Sequence, residues 1–520
     1  MALRVARWGG IAAAGIVAAL ALSACSGSAA SAPTSASPVA GGSITIARLG
    51  AEVTNLDPVP DTLTSNNAYT LDKIFDTLVI QDDKGGIQPR LAQSYTTSSD
   101  GLTWTFTLHP DLTFSDGSAL TSADVVYSIK RHLSKGGALP LSAPITDVTA
   151  PDAGTVVVTL SKPFSPLLAE LSTFSSGIVP NNLKGESEAT FFANPVASGP
   201  FTVGTWDKTG GSITLVKNTH YWQPGKPYLD SVTYLVAGDD AQLASLVKSG
   251  QAQISEGIAP ASVADLSSDT AVTLQSISSW NQDEIFFNTA AAPFSDRNAR
   301  RAVAQAIDRA ALAKNTTFGT ATTGTTYIPS TVKYSDQSAT ILPFDIDQAT
   351  KDVAQANPVP TTATLLVESG SQSRDQQAQI IQSQLAKIGI TVKIDSVDSA
   401  TFWTQFPAGN YQFALTTVIA DTSDPDNVTT WQVDAKGPSK AFFTGYDNTQ
   451  VNDLAEQGRT TPDGDARKAI YAQLQEIVAQ DVPNLSLDYT AQITATASSI
   501  NGLVVVPNGT SLLDGVWIAK

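Results

Sequence analysis

The densest grouping of potentially reactive side chains is the acidic segment Asp421-Thr422-Ser423-Asp424-Pro425-Asp426-Asn427. Clustered oxygen ligands suit a hard cation such as Ca²⁺. The EF-hand template fails here, because its sixth position is Asp426 rather than Gly and its twelfth is Gln432 rather than Glu. A carboxylate pair for glycoside hydrolysis draws its two acids from separate elements, and nothing in the sequence nominates the second. A solvated turn, favoured by Asp-Pro and Asn, is the third reading, and on these residues alone all three stay open. Other sources of chemistry are sparse. His109, His132 and His220 are far apart, and no His-Glu-x-x-His occurs. The single cysteine, Cys25, has no partner for a disulfide or a thiolate metal site. There is no Gly-x-Ser-x-Gly and no phosphate-binding glycine loop, and serine without a neighbouring base is only polar. The expectation is a protein that is not an enzyme and needs neither cofactor nor metal.

The elements that position this segment follow from periodicity. Leu415 to Ala420 reads as a strand leading into Asp421. Gln376 to Lys387 reads as a helix followed by a strand, Ile390 to Ile394. Ala299, Val303, Ala306, Ile307 and Ala310 trace one helical face, as do Ile470, Leu474, Ile477 and Val478. In the first half, Ser43 to Ala47, Thr155 to Leu160 and Ser212 to Val216 alternate as strands, and Leu71, Ile74, Phe75 and Leu78 fall at helical spacing. Leu102 to Leu108 and Asp111 to Gly117 both alternate with period two and suggest a hairpin-like pair. Thr121 and Ser122 are caps for a helix over Asp124 to Arg131, and Asp240 caps one that Gly250 ends. Strands and helices alternate without a strict βαβ rhythm, so the fold class is α/β with mixed sheets.

The N-terminus places the chain. Arg4 and Arg7 precede an apolar run from Ile11 to Leu22, and Leu22-Ser23-Ala24-Cys25 closes it. That order is a secretory signal over 1–24, too short to span a bilayer comfortably. The Leu-Ser-Ala-Cys ending resembles the bacterial lipobox, which implies a lipid on Cys25 and a location outside the cytoplasmic membrane, anchored to it. Ser26 to Ala40 is Ser, Ala, Pro, Thr and Gly without charge, so 25–41 reads as a flexible tether. The 520 residues exceed what one core holds, since single cores stop growing beyond about 250–300 residues. A net charge of -17 argues against nucleic acid and against electrostatic docking on anionic lipid.

Several short motifs recur in one order. They are Pro89-x-Leu91-Ala92-x-Ser94-Tyr95, Asp100-Gly101-Leu102-Thr103-Trp104-Thr105-Phe106-Thr107-Leu108, Phe114-Ser115-Asp116-Gly117 and Asp124-Val125-Val126-Tyr127-Ser128. Ala197-Ser198-Gly199-Pro200-Phe201 and Lys217-Asn218-x-x-Tyr221-Trp222 follow, then Phe287-Asn288-Thr289, Pro293-Phe294-x-Asp296, Arg300-x-Ala302 through Ala306-Ile307-Asp308-Arg309, and Gln382-x-x-Leu385-x-x-Ile388-Gly389-Ile390. Together they resemble the family 5 extracellular solute-binding proteins, the peptide- and nickel-type receptors of ABC importers, from Gly42 to the C-terminus.

The resemblance implies a two-lobed, periplasmic-binding-protein-like fold with a hinge. One lobe is expected over 42–279 plus 490–520, with a family-specific subdomain at about 60–195, and the other over 280–489. A monomer closing on a small, peptide-like solute and handing it to a membrane permease is the implied role. In peptide-binding relatives an aspartate matching Asp421 pairs with the ligand's N-terminal ammonium, and peptide backbone lies along the strand ending at Ala420. Asp424, Pro425, Asp426 and Asn427 would then shape the loop. Dipeptide-specific relatives carry an arginine before the Gln376–Lys387 helix for the ligand carboxylate. Here Glu368 or Ser369 falls near that place, and Arg374 substitutes only with a loop shift, so a longer peptide or a non-peptide suits better. Trp280, Asn281, Trp403 and Trp431 are further ligand-wall candidates, with core packing as the alternative. An oligosaccharide or metal chelate is the alternative cargo, and a secreted hydrolase using the Asp421 region is the rival of another class.

Overall fold

Alternating Ile44 and Ile46 are sealed inside a strand, Ser43–Arg48, as their period-two spacing predicts. This is the point at which the computed structural model begins to be regular; it describes residues 37–519 apart from 51–52, 62–64, 209–210 and 340. Cys25, the signal segment and most of the tether lie outside the described residues. Among the described residues no helix is long and apolar enough to cross a membrane.

The Ser43–Arg48 strand joins an 11-stranded mixed sheet that runs through both lobes. In one half it lies parallel to Ser231–Val236 and Ile254–Glu256, with Ser212–Lys217 and Phe201–Asp207 continuing antiparallel to the edge. In the other half Thr362–Glu368 is parallel to Thr391–Val397 and to Phe413–Ile419, and the last of these is antiparallel to Val272–Phe287. Two long antiparallel strands, Val272–Phe287 and Asn484–Ala497, cross between the halves. Their register slips between Ser278 and Gln282, so the ladder is broken where the chain passes from one lobe to the other. A break there leaves the crossing free to bend without melting either sheet.

Each half has its own core. Phe287, Phe294, Leu365, Leu385 and Leu415 pack together in one, and Ile46, Leu71, Phe75, Phe201 and Val232 in the other. A separate four-stranded antiparallel sheet of Ala92–Thr97, Thr103–Leu108, Thr155–Leu160 and Ile145–Asp152 encloses a third core with the Ser122–Lys135 helix. The Thr121 N–H donates to Asp124 Oδ2 at 2.7 Å, which caps that helix.

Four local expectations shift. Asp111 to Gly117 is not the second strand of a hairpin. Asp111 adopts a left-handed backbone (φ 56°) and the Gly117 N–H closes a turn on Phe114 O, so Leu112 and Phe114 alternate because both plug the core. The helix Asp240–Lys248 is capped one residue earlier than expected, by Asp239, which accepts from Gln242 N–H. The face from Ala299 to Ala310 belongs to two helices, Arg297–Ala306 and Arg309–Thr317, separated by extended Ile307 and by Asp308, which caps the second. The helix expected from Gln376 starts at Gln372, capped by Ser371, so Arg374 sits in its first turn.

Candidate functional site

Along Phe413–Ile419 and its extension, Thr416, Val418 and Ala420 are buried while Thr417, Ile419 and Asp421 keep accessible surface. The ladder sets Asn281 opposite Ile419 and Asp283 opposite Thr417, which gives all five residues one shared face. Asp421 closes that row. Its N–H donates to Asn427 Oδ1 at 2.9 Å, and Asn427 Nδ2 is 3.5 Å from Asp421 Oδ2. Its carbonyl accepts from Gln81 Nε2 at 3.1 Å and from Asn508 Nδ2 at 3.4 Å. Gln81 also accepts from Ser423 N–H at 3.2 Å, so one amide grips the loop twice. Protein atoms crowd the carboxyl on all sides although a strip of it stays open. Burial pushes it up to about 7, opposed only by the Asn427 amide. No lysine or arginine of the described residues pairs with it.

The next two aspartates differ. Asp424 receives a two-pronged contact from Arg467, Nη1 to Oδ2 at 2.7 Å and Nη2 to Oδ1 at 2.8 Å. Asp426 lies 2.8 Å from Arg459 Nε, off the hydrogen-bonding direction, and burial outweighs that arginine to push it up to about 6. Arg459 also bonds Asp434. These pairings hold the loop and leave no open oxygen cluster for Ca²⁺. Among the described residues no group of three or more His, Cys, Asp or Glu is placed to hold a metal ion.

The remaining candidates separate. Trp280 has no exposed surface and packs with Tyr327, Val428 and Tyr471, so its indole is core rather than ligand wall. The Ala420 N–H is occupied by Trp280 O at 3.3 Å, which removes it as a free donor to a peptide backbone. Asn281 faces the cleft beside Asp283 and Thr417. Trp431 lies in an aromatic cluster with Phe443 and lines a small space with Asp424 and Asn427. Trp403 is 41% exposed and donates to Glu368 Oε1 at 3.3 Å. Arg374 is tied to Glu368, Nη1 reaching its carbonyl at 2.8 Å and Oε2 at 3.3 Å, while Nη2 reaches Thr417 Oγ1 at 3.2 Å. A carboxylate arriving there would compete with Glu368.

Between the lobes, next to the Asn281–Asp421 face, is a cavity of ≈ 210 Å³. Gly257 to Ala261 line it from one lobe, and Asn281, Asp283, Thr417 and the start of the Gln372–Ala386 helix from the other. Further bonds join the antiparallel subdomain to the second lobe: Ser165 N–H to Arg459 O at 2.8 Å, Ser165 Oγ to Thr461 O at 2.6 Å, and the Lys162–Glu456 ion pair. Sequence reasoning missed Gln81, Asn508 and Asp283 at this face. Single polar residues from three distant segments carry no spacing signal.

Comparison with known proteins agrees with this architecture. The model of "Bacterial extracellular solute-binding proteins, family 5 Middle" matches residues 86–440. The glutathione-binding protein GsiB of Escherichia coli K12 is 28% identical over 491 residues, covering 89% of this chain and 92% of that protein. The ABC transporter-associated periplasmic binding protein DppA from Helicobacter pylori, solved with the peptide STSA, superposes with a TM-score of 0.83 at 25% identity, covering 93% of this chain and 99% of that one. The binding protein AgaA from A. tumefaciens R10, solved with agropinic acid, gives 0.81 at 28% identity, covering 92% and 99%. A chain that carries the family's core across more than half its length, with its lobes, crossing strands and inter-lobe cleft, belongs to family 5 of the bacterial extracellular solute-binding proteins, and is a solute-binding protein rather than an enzyme.

Proposed function

We propose that this chain is a lipid-anchored receptor that captures an oligopeptide-like solute by its free N-terminal ammonium, at Asp421, and presents it in the closed state to an ABC permease. Asp421 carries the reading. A crowded carboxyl with no cationic partner is costly alone and is relieved by a bound ammonium, a charge-assisted hydrogen bond in low dielectric. Tyr69 stands nearby, its hydroxyl donating to Asn508 O at 3.2 Å and its own ionisation raised by burial, with Asp421 among the charges acting on it. The lobes are taken as 42–279 with 490–520, and 280–489. Closure serves transport only if ligand binds the closed form better than the open one. Asp421 supplies such a difference through the ligand's ammonium, and Gln81 ties the same loop to the other lobe through its bonds to Asp421 and Ser423. A lipid on Cys25 and the Ser26 to Ala40 tether would hold the receptor within reach of its permease.

The relatives frame the cargo. One is named for glutathione and one was solved with a peptide, both bearing a primary ammonium, while a third was solved with agropinic acid. Native mass spectrometry of the purified protein tests the reading. A retained mixture of peptides with free amino termini is the expected result, and a homogeneous sugar or metal chelate would overturn it.

A further inference from the structure

Two carboxyls that the ammonium reading does not use lie side by side, Asp283 lining the cleft and Asp488 fully buried beside it. Asp283 and Asp488 are directly opposed on the crossing strands Val272–Phe287 and Asn484–Ala497. Like charges directly opposite each other destabilise a sheet. Among the described residues, only neutral side chains hydrogen-bond to them. Thr417 Oγ1 donates to Asp283 Oδ1 at 2.5 Å, and Gln377 Nε2 donates to Asp283 Oδ2 at 2.8 Å and to Asp488 Oδ2 at 3.2 Å. Asp488 Oδ1 and Gln377 Oε1, on side chains with no exposed surface, have no hydrogen-bond partner. Two orphaned acceptors behind a carboxylate are the complement of a multivalent donor. Burial, with the Asp283 charge second, holds Asp488 well above the usual carboxylate range.

Asp283 opens into the 210 Å³ cavity, where among the described residues the only ionisable side chains are Asp283 and Asp240, with neither lysine nor arginine in the lining. Phe318 stands at the same cavity, 63% exposed and held in a left-handed backbone (φ 52°). That backbone ends the Arg309–Thr317 helix, at a position glycine usually fills. The Phe318 ring is placed to cover a hydrocarbon stem. Thr417, the partner of Asp283, is four residues before Asp421, about 13 Å of strand.

We propose that Asp283, backed by Asp488 and Gln377, is a second cation subsite, taking an alkylammonium or guanidinium carried by the same ligand whose ammonium meets Asp421. This rests on the ammonium reading of Asp421 and narrows the cargo to solutes with two separated cations, such as peptides with a lysine or arginine side chain.

Calorimetric titration of the full chain with alanine tetrapeptides bearing Lys or Gln at position 2, 3 or 4 tests it, with far-UV circular dichroism to confirm that each variant is folded. At the best position Lys should bind about tenfold tighter than Gln. That ratio should collapse towards one in Asp283→Asn, fall in Asp488→Asn, and survive in Asp421→Asn even as both affinities drop. A ratio near one in the unaltered protein, or one unchanged in Asp283→Asn, overturns the subsite and leaves the ammonium reading standing. If no peptide binds, that reading fails, and spermidine decides the subsite by itself. Spermidine binding weakened by Asp283→Asn supports it, and no spermidine binding overturns it.

Discussion

Asp421 and Asp424 are three residues apart in one loop, and the fold treats them in opposite ways. Asp424 is locked by both arms of Arg467, whose side chain is fully buried and which also donates to Gly458 O and Asp463. Asp421 is crowded too, though it keeps some accessible surface, and its carboxyl receives only an amide. The sequence presents them as equals, two acids in an Asp-rich turn. The difference lies in what arrives from the Asp465–Asp481 helix, which delivers a guanidinium to the second and nothing to the first. A carboxylate supplied with its counter-charge by the chain is structure, and one left without is where we propose that the ligand's charge arrives.

The comparison breaks most visibly on the structural side. Arg467→Met keeps much of the volume but leaves Asp424 buried and uncompensated, which should cost about 3–5 kcal/mol in denaturant unfolding. A loss within experimental error would mean that Asp424 is as free as Asp421. Next in size is Gln81→Ala, which removes two bonds that tie the lobes together; at about 1 kcal/mol each, peptide affinity should fall roughly thirtyfold. The effect should be on affinity rather than thermal stability, and the reverse pattern would make Gln81 a packing residue.

The smallest effect is on pH. Asp421 is raised to about 7, above the roughly 3.9 of an unfolded aspartate. Between those values the native state holds a proton that the unfolded chain has lost, so this group makes stability fall as pH rises from about 4 to 7. Binding runs the other way. The ammonium requires the carboxylate, so peptide affinity should climb as pH passes through about 7 and decline once the peptide amine deprotonates near about 8. In Asp421→Asn the rising limb should disappear. A rise persisting in that variant would place the titrating group elsewhere.

Much of the scaffold was legible from periodicity. Strands such as Thr155–Leu160 and Ser212–Lys217 alternate so cleanly because each has one face on a core. The second half of the expected hairpin failed because Leu112 and Phe114 satisfy the same alternation from a turn. Asp421 was legible only through the order of motifs around it, since its own neighbourhood allowed a turn equally well. Trp280 misled for the converse reason: it stands beside a cleft residue, Asn281, but period two sends adjacent side chains to opposite faces of the strand. Asp283 and Asp488 are 205 positions apart and become a pair only through the crossing-strand register. No local pattern announces that.

The central claim, that Asp421 is a carboxylate waiting for a ligand's ammonium, is tested most directly by a two-by-two calorimetric comparison. Tetra-alanine and its N-acetyl form are each titrated into the unaltered protein and into Asp421→Asn. Truncating one side of a buried charge pair costs about 2–5 kcal/mol, so acetylation and Asp421→Asn should each weaken binding by about thirtyfold or more, and together little more than either alone. Effects that simply add, or an N-acetyl peptide that binds the unaltered protein as tightly as the free one, would contradict the account.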